Sequence, residues 1–236
     1  DDYVERHLIS RVYWAIGSRE QDYDIVCWSH KRVPGYSQTT IEKNSSEFEL
    51  LTGLDVFWNI LVKKNMSICM GSAAYRKCFL IANKLQFTEG CMSGEDTEFV
   101  FKALSHASRV LFMKDILTYY VQRRGSLTKS YNIRRFDTIF AMKRLEVYFD
   151  KNNRFREIFL RNRDSLIIER YLNNFQSCLD YLIERRMPSK KAIGKLLCEI
   201  ERYYPGLNEQ IMEMMNRYSC KDKTWVKVRA FLISPI

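Results

Sequence analysis

From Tyr131 almost to the C-terminus apolar residues return at helical spacing, whereas the first 130 residues alternate β-prone runs with helical ones. This division constrains the fold more than any other feature of the chain. Ile168, Tyr171, Leu172, Phe175, Leu179 and Leu182 keep a 3.6-residue period, as do Ile193, Leu196, Leu197 and Ile200. Such stripes bury one helix face against another. Breaks fall at Met187-Pro188-Ser189 and Tyr204-Pro205-Gly206, where Pro and Gly stop a helix. The pattern therefore predicts a C-terminal region of four or so helices, with no repeat strong enough for a solenoid.

The N-terminal part is mixed. Leu8, Val12 and Ile16, with Tyr13 and Trp14 alongside, predict a helix of about four turns behind Asp1-Asp2-Tyr3. Tyr23-Asp-Ile-Val-Cys-Trp-Ser29 is a compact buried strand, Pro34-Gly35 a turn, and Thr39-Thr40-Ile41 a short strand. Ser45 or Ser46 caps a helix whose buried stripe is Leu50, Leu54, Phe57, Trp58 and Leu61, which makes Trp58 a core residue. Met66 to Tyr75 reads as a strand ending in small residues. A short helix follows from Arg76-Lys77 through Phe79, Leu80 and Ile81.

The most concentrated chemistry is Gly94-Glu95-Asp96-Thr97-Glu98-Phe99, three carboxylates in four positions. Val100, Leu104, Ala107 and Leu111 follow at helical spacing, so the carboxylates head a helix. The bland explanation is complementarity to the positive end of the helix dipole, worth at most about 1 kcal/mol. Arg109 to Tyr120 is then strand-like, and Gln122 to Ser130 is a basic loop with a single Gly.

Composition narrows the classes. With 236 residues, 46% of them apolar, the chain can bury one large core or two modest ones. No apolar run approaches the length of a membrane-spanning helix, and no charged-then-apolar leader opens the sequence. Because the chain begins at Asp1, the expectation is a piece of a longer protein. Cys27, Cys69, Cys78, Cys91, Cys178, Cys198 and Cys220 are scattered, odd in number and without a Cys-x-x-Cys pair, as expected of reduced thiols in a cytoplasmic protein. His7, His30 and His106 stand apart from them, which argues against zinc. Net charge is +10, and residues 131–236 hold 21 Lys/Arg against 13 Asp/Glu, so the surplus is mainly C-terminal.

The order of acidic helix start, strand, Tyr119-Tyr120 and then Arg123-Arg124-Gly-Ser126 resembles the family 2 glycosyltransferases, whose nucleotide-sugar-binding domain has the α/β GT-A fold. The likeness runs over residues 1–130 and is best between Phe87 and Ser130. It implies an incomplete GT-A (Rossmann-like) domain over residues 1–130 and an α-helical extension over 131–236. In that family the acidic element supplies the general base, which places the role on Asp96 with Glu95 beside it. An acceptor hydroxyl is a poor nucleophile until its proton is accepted. Asp1-Asp2-Tyr3 looks like the tail of the family's metal motif, making Asp1 and Asp2 candidate ligands of Mg²⁺ or Mn²⁺. Arg124 or Arg123, with Ser126, matches the family's basic segment and would meet diphosphate oxygens. Tyr75 and Arg76 match a loop bordering donor and acceptor, although a solvated helix start explains them equally.

The resemblance therefore implies a metal-dependent, inverting glycosyltransferase, of the hexosyltransferase type, acting in bacterial surface polysaccharide or glycolipid synthesis. Its partners would be a nucleotide-sugar donor and a saccharide or lipid-linked acceptor, and this piece alone would be inactive. The competing class is a basic helical module that binds membrane or nucleic acid without catalysis. No nucleic-acid motif supports the latter half of that alternative. The C-terminal cations are solvated faces by default, or they draw the protein to the inner membrane surface.

Overall fold

A computed structural model describes residues 2–17, 22–34, 47–122, 130–151, 153–220 and 222–233. The described residues fall into two compact units. The first lies within Asp1–Glu89, Glu95–Arg123 and Val147–Ile158, the second within Gly90–Gly94, Arg124–Glu146 and Phe159–Ile236.

The first unit is α/β. Its sheet has the order β1-β5-β2-β4, where β1 is Tyr3–Val4, β2 Ile25–Val33, β4 Ala73–Tyr75 and β5 Val110–Val121; β3, Phe48–Leu51, also pairs with β5. Strands β2 and β5 are parallel, from Ile25 opposite Val110 to Val33 opposite Val121, and the register slips around Ser29. The other three strands run antiparallel to their partners. Helix α1, Leu8–Gly17, turns Leu8, Val12 and Ala15 toward Val26, Trp28, Leu111 and Met113. Helix α2, Gly53–Trp58, places the Phe57 ring 4.9–5.5 Å from the rings of Phe101, Phe149 and Phe155. The Gly53 amide donates to the Ala107 carbonyl at 3.0 Å, an approach so close that only glycine fits. A Cβ at that position would lie 1.9 Å from the Leu104 carbonyl oxygen.

Several expectations need correction. The first helix starts at Leu8, since Tyr3 and Val4 are drawn into pairing with Tyr119 and Thr118 of β5. Ser45 and Ser46 lie outside the described residues, and Phe48–Leu51, expected within the helix they would cap, is a strand. It becomes a helix only where Thr52 and Asp55 close a capping box, the Thr52 hydroxyl accepting from the Asp55 amide and Asp55 accepting from the Thr52 amide. Trp58 is 40% exposed, because α2 buries Val56 and Phe57 and then passes into a π-turn over Asn59–Lys63. The strand expected from Met66 shrinks to Ala73–Tyr75, preceded by a 3₁₀ turn over Met70–Ser72. Thr39 to Ile41 lies outside the described residues.

The expected helix and strand around the acidic element are present as α4, Glu95–His106, and β5, but Ala107 and Leu111, counted in the helical stripe, fall beyond the helix, Leu111 within β5. The short helix is α3, Lys77–Ala82.

The second unit is helical. Its elements include α5, Asp137–Tyr148, and α6, Asn153–Glu184, each shared in part with the first unit, followed by α7, Ser189–Tyr203, α8, Leu207–Arg217, and α9, Lys223–Ile233. The sequence breaks at Pro188 and Pro205-Gly206 separate α6, α7 and α8. The predicted stripe of Ile168, Tyr171, Leu172, Phe175, Leu179 and Leu182 is buried throughout. Among the described residues no helix is long and apolar enough to cross a membrane.

Candidate active site

Two clusters of the first unit gather the predicted residues that the structure describes. One surrounds the start of α4. Glu95, Asp96 and Glu98 share its first turn but differ in environment. Glu98 is 1% exposed, accepting from the Thr88 hydroxyl at 2.8 Å and the Lys102 ammonium at 2.6 Å. It is a buried ion pair that ties the preceding loop to the helix, and such a group is compensated rather than reactive. Asp96 is exposed. Protein mass around its carboxyl still removes enough water to raise its pKa above the ordinary aspartate value. Glu95 is half-buried, and its Oε2 is shut off from solvent with no hydrogen-bond partner.

Tyr75, the last residue of β4, belongs to the same cluster. Its hydroxyl is also shut off from solvent without a partner. Burial above all, with the Asp96 charge adding to it, pushes its pKa above the ordinary tyrosine value. Its ring meets Phe99 edge-on at 5.4 Å, and Phe99 stacks on Phe87 at 4.5 Å. Phe87 keeps 46% of its surface exposed. The Asp96 carboxylate is thus near enough to Tyr75 for its charge to act on the hydroxyl, and Tyr75, Phe99 and Phe87 make an aromatic wall with one open edge. Aromatic faces of this kind are apolar supports that exclude water beside a polar reaction centre. Phe87 was visible in the sequence only as a landmark upstream of Gly94, since nothing in its neighbours announces the stack.

Arg76 is committed elsewhere. Its Nη2 donates to Asp24 at 2.8 Å and its Nη1 to Asp22 at 2.9 Å. Asp24 also accepts the Ser108 and Arg109 amides at 2.8 and 3.1 Å. This buried carboxylate braces the starts of β2 and β5, and Arg76 completes the brace. Single sequence positions carried no signal for a clamp assembled from three segments.

The second cluster lies at the C-terminal end of β5. Asp2 is exposed and its Oδ1 accepts the Val121 amide at 3.0 Å. Tyr3 stacks on Tyr119 at 4.8 Å, and the Tyr119 hydroxyl donates to Glu5 at 2.8 Å. Tyr119 thus packs beneath this end of the strand. Thr118 accepts from the Trp28 indole at 2.8 Å and donates to the Gly71 carbonyl at 2.6 Å, fixing the 3₁₀ turn beside β5. Asp1, Arg123, Arg124 and Ser126 lie outside the described residues. Asp2 offers the hard oxygen that Mg²⁺ or Mn²⁺ prefers. Among the described residues no group of three or more His, Cys, Asp or Glu side chains could hold an ion, so the described part alone is not a complete metal site.

Other reactive side chains are quiet. Burial pushes the Cys27 thiol up to about 12, which removes it as a thiolate nucleophile near neutrality. His30 is lowered by burial and then by Arg32, and His106, hydrogen-bonded to the Tyr148 hydroxyl at 2.6 Å, is lowered by burial.

No protein-family model and no curated protein matches the chain. Solved structures do match by shape. The structure of Staphylococcus aureus TarS 1-349 in complex with UDP-GlcNAc has 18% identity and a TM-score of 0.50, covering 91% of this chain and 57% of that one. TarS 1-349 gives 16% identity and a TM-score of 0.49 over 89% and 65% of the two chains, and a further TarS structure 19% and 0.45 over 74% and 27%. The chain thus spans between 27% and 65% of the length of these TarS chains. At such identities the likeness is one of fold, that of a GT-A glycosyltransferase domain, as the α/β part of the sequence led one to expect.

Proposed function

We propose that the chain is part of a glycosyltransferase that moves a sugar from a nucleoside-diphosphate donor to a hydroxyl of a saccharide or lipid-linked acceptor, in surface polysaccharide or glycolipid synthesis. The observation that carries this proposal is Asp96, an exposed carboxylate with a raised pKa beside Tyr75 and the Phe99–Phe87 wall, on a fold shared with a domain crystallised with UDP-GlcNAc. In the proposed step the acceptor oxygen attacks the anomeric carbon while its proton passes to an Asp96 carboxylate oxygen. The bond from that carbon to the diphosphate breaks on the opposite face, so the configuration inverts. A pKa lifted toward the working pH makes the carboxylate a stronger base than an ordinary aspartate.

Glu95, beside Asp96 in the first turn of α4, and Tyr75, edge-on to Phe99, are assigned to this site by resemblance. Arg124, Arg123 and Ser126 are assigned to the diphosphate by resemblance, and Arg76 to bracing. Asp1 and Asp2 would hold Mg²⁺ or Mn²⁺, which supplies positive charge against the leaving diphosphate.

The decisive experiment compares the protein with its Asp96→Asn and Asp96→Ala variants across a panel of nucleotide sugars and acceptors, reading released diphosphate. Loss of a general base should lower kcat by about 10²–10⁴-fold with donor KM little changed. Transfer at near wild-type rate by either variant would remove the assignment.

A further inference from the structure

Helix α9 is apolar on two opposite faces. Thr224 and Val228 are buried, and the helix lies on α6: Thr224 donates to Glu169 at 2.7 Å and meets the Ser165 hydroxyl at 3.0 Å, Lys227 donates to Asn173 at 3.2 Å, and the Phe231 ring lies 5.2 Å from that of Phe175. On the far side Val226, Ala230 and Ile233 form a second stripe at helical spacing, with Val226 62% and Ile233 85% exposed. At 100° per residue Arg229 flanks this stripe on one side, and Lys223 and Lys227 on the other. The Arg229 guanidinium lies 5.3 Å from the centroid of the Trp225 ring. No carboxylate lies within Lys223–Ile233.

The pairing also sets a direction. As α9 advances from Thr224 to Phe231, its partners on α6 advance from Ser165 to Phe175. The two helices therefore run parallel, and Ile233 points toward the end of α6 where Arg185 and Arg186 stand. That end is ordered: Arg186 takes a left-handed φ of 62°, and the Arg186 and Met187 amides donate back to Ile183 and Leu182. Helix α7 then opens with exposed Lys190 and Lys191. From Arg185 to Lys195 there are five cations and no carboxylate. The nearest acids in sequence are Glu184, exposed on the last turn of α6, Glu199, which lies 3.7 Å from Lys195 and also accepts from the Tyr131 hydroxyl, and, beside α9, Asp222, which accepts from the Tyr218 hydroxyl and the Trp225 amide.

From this arrangement we infer that the outer face of α9 and the basic α6–α7 turn dock the helical unit on an anionic lipid surface. An apolar stripe between rows of cations is the pattern of a helix lying in the interfacial plane, its aliphatic side chains among acyl chains and its cations at headgroup phosphates. A nucleic acid would use the cations but leave Val226 and Ile233 in water, and it prefers aromatic platforms to aliphatic ones. The surface shares no residue with the Asp96 cluster, so this inference and the transferase proposal fail independently.

The test is sedimentation of the full chain with phosphatidylcholine vesicles, with and without phosphatidylglycerol, at low and high salt. Binding should require phosphatidylglycerol and weaken as salt rises. Lys190→Gln with Lys191→Gln should weaken it by about fivefold per cation, roughly 25-fold together. Val226→Asn with Ile233→Asn should cost about tenfold or more while leaving the circular dichroism spectrum unchanged. Equal binding to neutral vesicles, or wild-type binding by either double variant, would overturn the inference. So would tighter binding to an oligonucleotide that the Val226/Ile233 variant does not affect.

Discussion

Asp96 and Asp137 both occupy the first turn of a helix, yet their surroundings are opposite. Asp137 opens α5 and accepts the Tyr204 hydroxyl at 2.6 Å, Arg134 at 2.8 Å and the Met92 amide at 3.0 Å. Burial alone would raise its pKa, but these donors outweigh burial and hold it below the ordinary aspartate range. Asp96 opens α4, where burial raises its pKa without an opposing donor. The helix dipole favours a carboxylate at either position by the same modest amount. Position therefore does not separate structure from chemistry; the set of donors does. A carboxylate with every lone pair engaged holds the fold, whereas one partly dehydrated and unengaged is available to take a proton.

Asp137→Ala should break this contrast most visibly in stability. It takes their shared acceptor from the Tyr204 hydroxyl, the Met92 amide and Arg134, which keeps its contact with the Gly90 carbonyl, a loss of about 3 kcal/mol, readable as a lower midpoint in urea unfolding. The kinetics of any transfer reaction should not follow the 10²–10⁴-fold drop set for Asp96→Ala. Equal rate losses for the two variants would erase the distinction between them.

A middle case lies within α4 itself. Glu98 stands two residues from Asp96 but is held by Thr88 and Lys102. Glu98→Ala should cost about 2 kcal/mol, the range for a hydrogen bond to a charged group, measured by the same unfolding midpoint. Transfer per folded molecule should fall far less than for Asp96→Asn. A larger fall would move the base assignment along the helix.

The sequence shows why these three carboxylates cannot be told apart by spacing. Helix α4 and strand β5 were legible because Val100 and Leu104 keep the helical period and the β-prone run from Val110 to Val121 then replaces it, although Leu111 fits either pattern. The C-terminal helices were legible for the same reason, with Pro and Gly marking their ends. Strand β3 was not, since Leu50 fits the helical stripe of Leu54 and Leu61; only pairing with β5, Leu50 opposite Leu111, settles it. The Thr52-x-x-Asp55 box was the available signal for the true helix start. Within the candidate site, residue types were readable and partners were not. Arg76 carries the same charge whether it waits for phosphate or clasps Asp24, and Phe87 looks like any loop aromatic until it stacks on Phe99.

The smallest expected effect is the sharpest test of the contrast, because its sign differs between the two aspartates. A folded-state pKa above the unfolded value means that, through the aspartate range, the native protein holds more protons than the unfolded chain, so stability falls there as pH rises. Asp96 should therefore cost stability at neutral pH, and Asp96→Asn should raise the thermal midpoint slightly. For so exposed a group the gain stays within about 0.5 kcal/mol, and it should vanish below about pH 4, where the unfolded chain is also protonated. Asp137 has the opposite shift, so the stability it contributes is present above the ordinary aspartate pKa and is lost as pH falls through its lowered native value. Asp137→Asn should lower the midpoint at neutral pH and flatten its acid dependence. Thermal melts of both Asn variants between acid and neutral pH would show one curve crossing above wild type and the other staying below it. Two curves on the same side would mean that the unengaged state of Asp96 is not what distinguishes it.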